Sequence, residues 1–182
     1  MHTPYTIEEH QHRFASWAAG RAASVKGCRF KVHQAKAILE AVGFDASFSN
    51  PADLPNPRES DRTHREWRDG LIRAAGQQGL HVTHGVAAKL INCYVKVRFV
   101  CAGNHDHARV KAMHPPIDEV LLTRLAELNV GGFESDWKAA RAIRWSKFDS
   151  DQYETVINLI RRSLPDQPLW KIEEYWAGHR KA

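Results

Sequence analysis

Lys89 and Asp118 are the two residues whose types and positions suit covalent chemistry. Lys89 lies near the start of a predicted helix, and partial burial together with the positive end of that helix favours the neutral amine. A neutral lysine amine is a nucleophile that attacks electrophilic carbon. Asp118 follows Pro115-Pro116-Ile117 in the first turn of another predicted helix, where a carboxylate can face a developing cation. The alternatives are a solvated lysine and a carboxylate that only stabilises its own helix.

The helix that carries Lys89 is predicted within the segment 81–101, which begins with the turn His84-Gly85. An apolar stripe repeats along it at helical spacing, formed by Val86, Leu90, Cys93, Val97 and Val100. Its polar residues share one narrow strip, formed by Lys89, Asn92 and Lys96. A helix with so little polar surface is typical of the buried centre of a domain. We therefore expect this helix to be central and its polar strip to face solvent or a cleft.

The rest of the chain shows helical periodicity, and no stretch alternates in the manner of a β-strand. Helix boundaries are marked by capping signals, including the pair Thr6 and Glu9 at one start and Gly43 at one end. The proline-rich segment 44–59 is predicted to be a loop. The further predicted helices cover about 6–23, 31–42, 60–78, 115–128, 150–164 and 168–176. The fold class predicted is therefore all-α.

The glycine turn before Lys89 can be interpreted in two ways. Gly85, Val86 and Ala87 carry little side-chain bulk, so their backbone N–H groups can point at a phosphate, assisted by the dipole of the following helix. The alternative is a helical hairpin in which the glycine only relieves strain in the turn. Spacing alone does not decide between the two interpretations.

Composition limits the class of protein and its partners. The chain has 182 residues, 43% of them hydrophobic, which predicts one domain over 1–182. No apolar run is long enough to cross a membrane and no signal peptide is recognisable, so we expect a soluble, cytoplasmic protein without a membrane partner. The three cysteines suit a reducing compartment. The formal charge of +5 favours an anionic partner.

The order of a hairpin glycine, a lysine four residues later and a proline-rich entry to an aspartate resembles the helix–hairpin–helix DNA glycosylases. Within that superfamily the chain is most similar to the lysine-bearing branch that acts on oxidised guanine and has AP lyase activity. The segment HGVAAKLINC corresponds to the hairpin and the second helix of the motif, and HPPID corresponds to the proline-rich loop and catalytic aspartate. Ala87 stands in place of the second hairpin glycine, and His84 in place of a common proline.

The resemblance implies a DNA N-glycosylase, with or without AP lyase activity, that excises a damaged or modified base after nucleotide flipping. Lys89 would form the Schiff base and Asp118 would be the catalytic carboxylate. The hairpin and catalytic helix would lie at about 60–101, and the aspartate loop with its helix at 112–129. The other implied site residues are a base pocket of Asn92, Cys93 and His114, and DNA contacts from Gly85, Val86, Ala87, Lys96 and Arg98.

The same resemblance implies double-stranded DNA as the partner, a monomer associated with the nucleoid, and no cofactor or metal. The identity of the excised base stays open between an oxidised guanine and a modified pyrimidine. The aromatic and basic segment 133–148 and several tryptophans offer further contacts to a strand or a base. The candidate stacking residues are Trp137, Trp145, Trp170 and Trp176.

Two other functions compete with this interpretation. A helix–hairpin–helix module that binds DNA without catalysis would use the hairpin and the basic surface, and would not depend on Lys89. A metalloprotein would use side chains from Cys93 to His114, but their spacing follows no common metal-ligand pattern. The candidate ligands are Cys93, Cys101, His105, His107 and His114.

Overall fold

In the computed structural model, residues 5–178 are described, and they form helices joined by loops without a β-strand. The all-α prediction is confirmed for this part of the chain. The predicted helix at 168–176 is a 3₁₀ helix, Leu169–Tyr175. The α-helices are α1 (Ile7–Ala23), α2 (Val32–Glu40), α3 (Ser60–Gln77), α4 (His84–Val95), α5 (Ala108–Lys111), α6 (Glu119–Glu127), α7 (Glu134–Ile143) and α8 (Ser150–Ser163).

Helix α4 is the centre of the fold, as its apolar circumference predicts. It contacts α1, α3 and α8, together with the 3₁₀ turn Trp145–Lys147. Leu90 and Tyr94 are fully buried in a core shared with α1, α2 and α3. Ala88 belongs to a second core formed with α6, α7 and α8. Lys89 therefore stands on α4 where the two cores meet.

The chain stays helical beyond α4. A π-helix over Lys96–Asn104 continues it and turns at Gly103, which has a φ of 92°. The sequence predicts helix up to Cys101, whereas the helical segment runs to Asn104 and has the wider hydrogen-bond pattern of a π-helix from Lys96 onward.

Thr6 caps α1 as the sequence predicts, whereas α6 begins at Glu119, four residues after the predicted start at 115, so that Asp118 is its N-cap rather than part of its first turn. The Thr6 side chain accepts a hydrogen bond from the Glu9 backbone N–H at 3.3 Å. Asp118 Oδ1 accepts from the Leu121 backbone N–H at 2.9 Å and so caps α6. Each cap satisfies a backbone donor that has no partner within its helix. These local bonds orient α6, and Asp118 with it.

Within residues 5–178, every helix is too short or too polar to cross a lipid bilayer.

Candidate active site

Lys89 is a buried lysine with a carboxylate partner. Its side chain is 7% exposed, and its Nζ donates to Asp118 Oδ2 at 2.9 Å. The same Nζ lies 5.7 Å from the centre of the Trp145 ring, within reach of a cation–π interaction. A charged ammonium at this depth is costly unless it is paired, and Asp118 supplies the pair. The structure thus brings together the two residues that the sequence selects for chemistry.

Asp118 uses both carboxylate oxygens, and each has a different task. Oδ1 caps α6 through the Leu121 N–H, as described above. Oδ2 accepts from Lys89 Nζ and from Trp176 Nε1, the latter at 3.1 Å. One conformation of Asp118 therefore both caps α6 and pairs with Lys89. Because donors on three sides hold the carboxylate, its orientation is well determined before any ligand arrives.

The Lys89–Asp118 pair lines a cleft of about 310 Å³. Cys93, one turn after Lys89, forms part of its wall, and burial raises the pKa of its thiol to about 11. Lys96 and Glu173 form an ion pair on the same wall. Burial raises the pKa of Glu173 above that of an exposed carboxyl. The remaining lining residues are Ala22, Pro116 and Trp176. We call this cavity the lysine cleft.

Asn92 does not share the lysine cleft, contrary to the prediction of a common polar strip and of a base-pocket role. It is 2% exposed, and its Nδ2 donates to the Pro115 carbonyl oxygen and the Tyr153 hydroxyl, both at 2.9 Å. Its Oδ1 accepts from His64 Nε2 at 2.7 Å. Because Pro115 belongs to the proline-rich loop, Asn92 holds the loop that carries Asp118. The location of Asn92 therefore suits a residue that positions this loop rather than one that contacts a base.

His114 likewise lies in this buried network and not in the base pocket that the sequence suggests. Its Nδ1 lies 3.0 Å from the Tyr153 hydroxyl and its Nε2 lies 2.9 Å from Asp61 Oδ1. Burial lowers the pKa of His114, and it lowers the pKa of His64 further. The two imidazole rings lie 4.3 Å apart between their centres, and His64 bonds to Asn92, which in turn bonds to the Pro115 carbonyl of the loop.

The glycine turn is closed to a phosphate in this structure. The Gly85 N–H donates to the Phe148 carbonyl at 3.1 Å, and the Val86 N–H donates to Thr83 Oγ1 at 3.2 Å. The Ala87 N–H donates to the Thr83 carbonyl at 2.9 Å. All three residues are buried. The structure therefore contradicts the prediction that Gly85, Val86 and Ala87 contact a phosphate, because their backbone N–H groups donate to other atoms of the protein.

Gly85 is required here by close packing, which leads to a stability prediction. A Cβ at Gly85 would lie 1.8 Å from the Trp145 carbonyl oxygen. We expect Gly85→Ala to lower the free energy of unfolding by about 3 kcal/mol, because a backbone atom must move. In Gly76→Ala, the added Cβ meets no atom within 4 Å, so this control should be neutral or stabilise α3 by up to about 1 kcal/mol. Urea unfolding measures both, and equal stability of the two variants would contradict this packing.

The two basic residues predicted to contact DNA have separate environments. Arg98 is 3% exposed, and its Nη2 donates to the carbonyls of Ala46 and Phe48 at 3.2 and 3.0 Å. Arg98 thus holds the loop 44–59 against the π-helix. This contradicts the prediction that Arg98 contacts a phosphate of DNA. Lys96 is half-buried and faces the lysine cleft through its pair with Glu173.

The candidate metal ligands are dispersed. Cys101 is exposed, Cys93 faces the lysine cleft, and His114 is bound to Tyr153 and Asp61. In residues 5–178, no group of three or more histidine, cysteine or acidic side chains is placed to hold a metal ion.

Two residues of the site come from a segment that carries no local signal for it. Glu173 and Trp176 lie in and just after the 3₁₀ helix Leu169–Tyr175, which packs across the lysine cleft. Trp176 is one of the tryptophans considered for stacking, but its Nε1 bond to Asp118 is a tertiary feature. Trp137 is fully buried and donates to the Val130 carbonyl, so it belongs to the core.

Searches of protein-family models, curated proteins and solved structures found no match to this chain.

Proposed function

We propose that the protein is a DNA N-glycosylase with AP lyase chemistry, which uses Lys89 as nucleophile and Asp118 as electrostatic partner. The observation that carries the proposal is the 2.9 Å contact between Lys89 Nζ and Asp118 Oδ2 in a lined cleft. The two residues stand in the same order as in the helix–hairpin–helix glycosylase motif. An amine beside a fixed carboxylate suits substitution at a carbon that becomes cationic.

The reaction begins with Lys89 as the neutral amine, after its ammonium proton has passed to solvent. The amine lone pair forms a bond to C1′ of the flipped nucleotide while the bond between C1′ and the base nitrogen breaks. The electron pair leaves with the base, which then takes a proton from the new secondary ammonium. Positive charge develops on the sugar as the base departs. Asp118 stabilises this charge because its carboxylate lies beside Lys89 in an orientation that is already determined.

Strand cleavage follows from the same covalent intermediate. The nitrogen lone pair forms the C=N bond of a Schiff base as the C1′–O4′ bond breaks, and O4′ takes up a proton. Loss of a C2′ proton to water then expels the 3′ phosphate with the electron pair of its C–O bond. Hydrolysis of the Schiff base returns the Lys89 amine.

The lysine cleft suits an extruded nucleotide. It begins at Lys89 and Asp118 and extends along one side of α4 past Cys93 to Lys96. The high pKa of Cys93 keeps the thiol neutral near neutral pH, so it offers an uncharged surface to a base. DNA as the partner is supported by the net charge of +5.

The alternative of a helix–hairpin–helix module without catalysis is less well supported. That function depends on backbone donors of the hairpin, and the N–H groups of Gly85, Val86 and Ala87 already have protein partners. DNA binding without catalysis also does not explain why Lys89, which is 7% exposed, lies beside a carboxylate that accepts hydrogen bonds from two further donors.

A base-release and nicking assay tests the proposal. We expect the protein to release a base from at least one member of a panel of duplexes with oxidised guanines or modified pyrimidines, and to nick a duplex with a preformed abasic site. Free base is measured by mass spectrometry and nicks by denaturing electrophoresis. Unmodified duplex is the control. An intact abasic strand after prolonged incubation, together with no base release across the panel, would contradict the proposal.

A further inference from the structure

A second cavity, lined by basic side chains, lies beside the lysine cleft. Its volume is about 750 Å³. It is formed by one side of α7, the following turn and the start of α6. The lining residues are Glu119, Lys138, Arg141, Ala142, Arg144, Trp145 and Ser146. We call this cavity the basic groove.

The basic groove and the lysine cleft are neighbouring cavities that come close to each other at Trp145 and at the consecutive residues Asp118 and Glu119. Trp145 lines the groove, and its ring centre is 5.7 Å from Lys89 Nζ in the cleft. Asp118 lines the cleft while its neighbour Glu119 lines the groove. A polymer lying in the groove can therefore place one unit in the cleft at Lys89.

The charge of the groove suits an anionic polymer. Lys138, Arg141 and Arg144 contribute three positive charges to the lining against the one lining carboxylate of Glu119, and Lys138 also forms an exposed ion pair with Glu134. Arg141 Nε donates to Glu119 at 2.8 Å, but both side chains are half exposed, so a phosphate can compete with that contact. Arg144 is exposed. Guanidinium groups form paired hydrogen bonds with phosphate oxygens.

The turn that carries Arg144 has a strained backbone, which surrounding contacts must hold. Arg144 has a φ of 73° and a ψ of 124°, a region that residues with a Cβ avoid. The next residues hold this conformation from the other side. Thr83 Oγ1 donates to the Ser146 carbonyl, and the Gly85 N–H donates to the Phe148 carbonyl. The turn thus covers the hairpin and presents Arg144 and Trp145 in a defined orientation beside Lys89.

We propose that the basic groove binds the phosphate backbone of the DNA strand whose nucleotide enters the lysine cleft. The proposal rests on the proposed glycosylase function for the identity of the polymer. The groove takes the place of the hairpin, whose backbone donors are occupied within the protein. The strand follows α7 to Trp145, and the flipped nucleotide passes the Trp145 ring to reach Lys89.

Salt-dependent binding tests the groove directly. The probe is a duplex that contains one stable abasic-site analogue, and fluorescence anisotropy gives Kd at several salt concentrations. We expect Arg141→Gln/Arg144→Gln to weaken binding about 10-fold or more at low salt, and the slope of log K against log salt to become shallower by about 2. The charge-matched control is Arg13→Gln/Arg62→Gln, which removes two exposed arginines outside the groove and should bind like the parent.

A second variant separates charge from folding. Arg144→Gly removes the charge and also relieves the positive φ. It should raise the Tm while still weakening binding, which a merely destabilised variant would not do. Unchanged Kd and slope in both groove variants, with a parent that binds the duplex, would overturn the groove proposal.

Covalent trapping distinguishes failure of the groove from failure of the proposed function. At saturating DNA, the groove double variant should still cross-link to an abasic duplex on borohydride reduction, since it retains Lys89. Trapping by the parent together with groove-independent binding would overturn the groove alone. Groove-dependent binding without any trapping would support the groove as a DNA site and overturn the glycosylase chemistry.

Discussion

Replacing Lys89 with glutamine is expected to abolish borohydride trapping of the protein on a duplex that contains an abasic site. The abasic sugar carries an aldehyde, and a lysine amine condenses with it to a Schiff base with release of water. Borohydride reduces the Schiff base to a stable cross-link that denaturing electrophoresis resolves. Glutamine retains a donor toward Asp118 but has no nucleophilic amine. We therefore expect the cross-link to fall by on the order of 10²-fold or more.

The control for this experiment is Lys171→Gln. Lys171 is an exposed lysine of the 3₁₀ helix Leu169–Tyr175 and does not line the lysine cleft, so this substitution removes one amine outside the cleft. It should cross-link like the parent, and both variants should bind the duplex with little change. An undiminished cross-link in Lys89→Gln, mapped by mass spectrometry to another lysine, would exclude Lys89 from the mechanism.

Asp118→Asn is expected to slow single-turnover base release by on the order of 10²-fold or more, about 3 kcal/mol of transition-state stabilisation. In the parent, Oδ2 accepts from both Lys89 and Trp176, and in the proposed reaction the carboxylate faces the sugar cation. Asparagine has the same shape without that charge. The Kd for the duplex should stay level or fall, because an anion close to the DNA is removed. A rate loss without an affinity loss indicates a catalytic carboxylate.

The structure also limits the stability change that Asp118→Asn can cause. An asparagine has a single oxygen, so it can cap α6 or accept from Lys89, but it cannot do both in the observed geometry. We expect a cost of about 1 kcal/mol in the free energy of unfolding. Glu127→Gln, at the exposed far end of α6, removes an equal charge and serves as the control. Equal base-release rates in Asp118→Asn and the parent would leave Asp118 only its capping role.

Local signals in the sequence determine the fold class and the pair of residues at the centre of the site. The apolar repeat along α4 predicts a buried helix, and Leu90 and Tyr94 are fully buried in the structure. The two prolines before Asp118 place it near a helix start, and it caps α6 through Leu121, three residues away, although the helix begins at Glu119 and not at the prolines. Such features depend on helical period and neighbouring residues, which a single sequence displays directly.

Tertiary packing decides which donors and acceptors remain for a ligand. Glycine and arginine are residue types that often bind phosphate. In this structure, however, the Gly85 N–H donates to the Phe148 carbonyl, and the Arg98 guanidinium donates to carbonyls of the loop 44–59. Asn92 falls within the polar strip of α4 on a helical projection, but α3 and α8 close over its side chain through His64 and Tyr153.

The remaining wall of the site comes from far along the chain. Glu173 pairs with Lys96 across 77 residues of sequence, and Trp176 reaches Asp118 across 58. No periodic pattern or capping signal relates residues at such separations, because their contact depends on how complete helices pack against one another. The sequence by itself therefore determined the all-α architecture and the Lys89 and Asp118 pair. Only the tertiary structure decided which polar groups support that pair, which are consumed in holding the fold, and which surface stays open beside it.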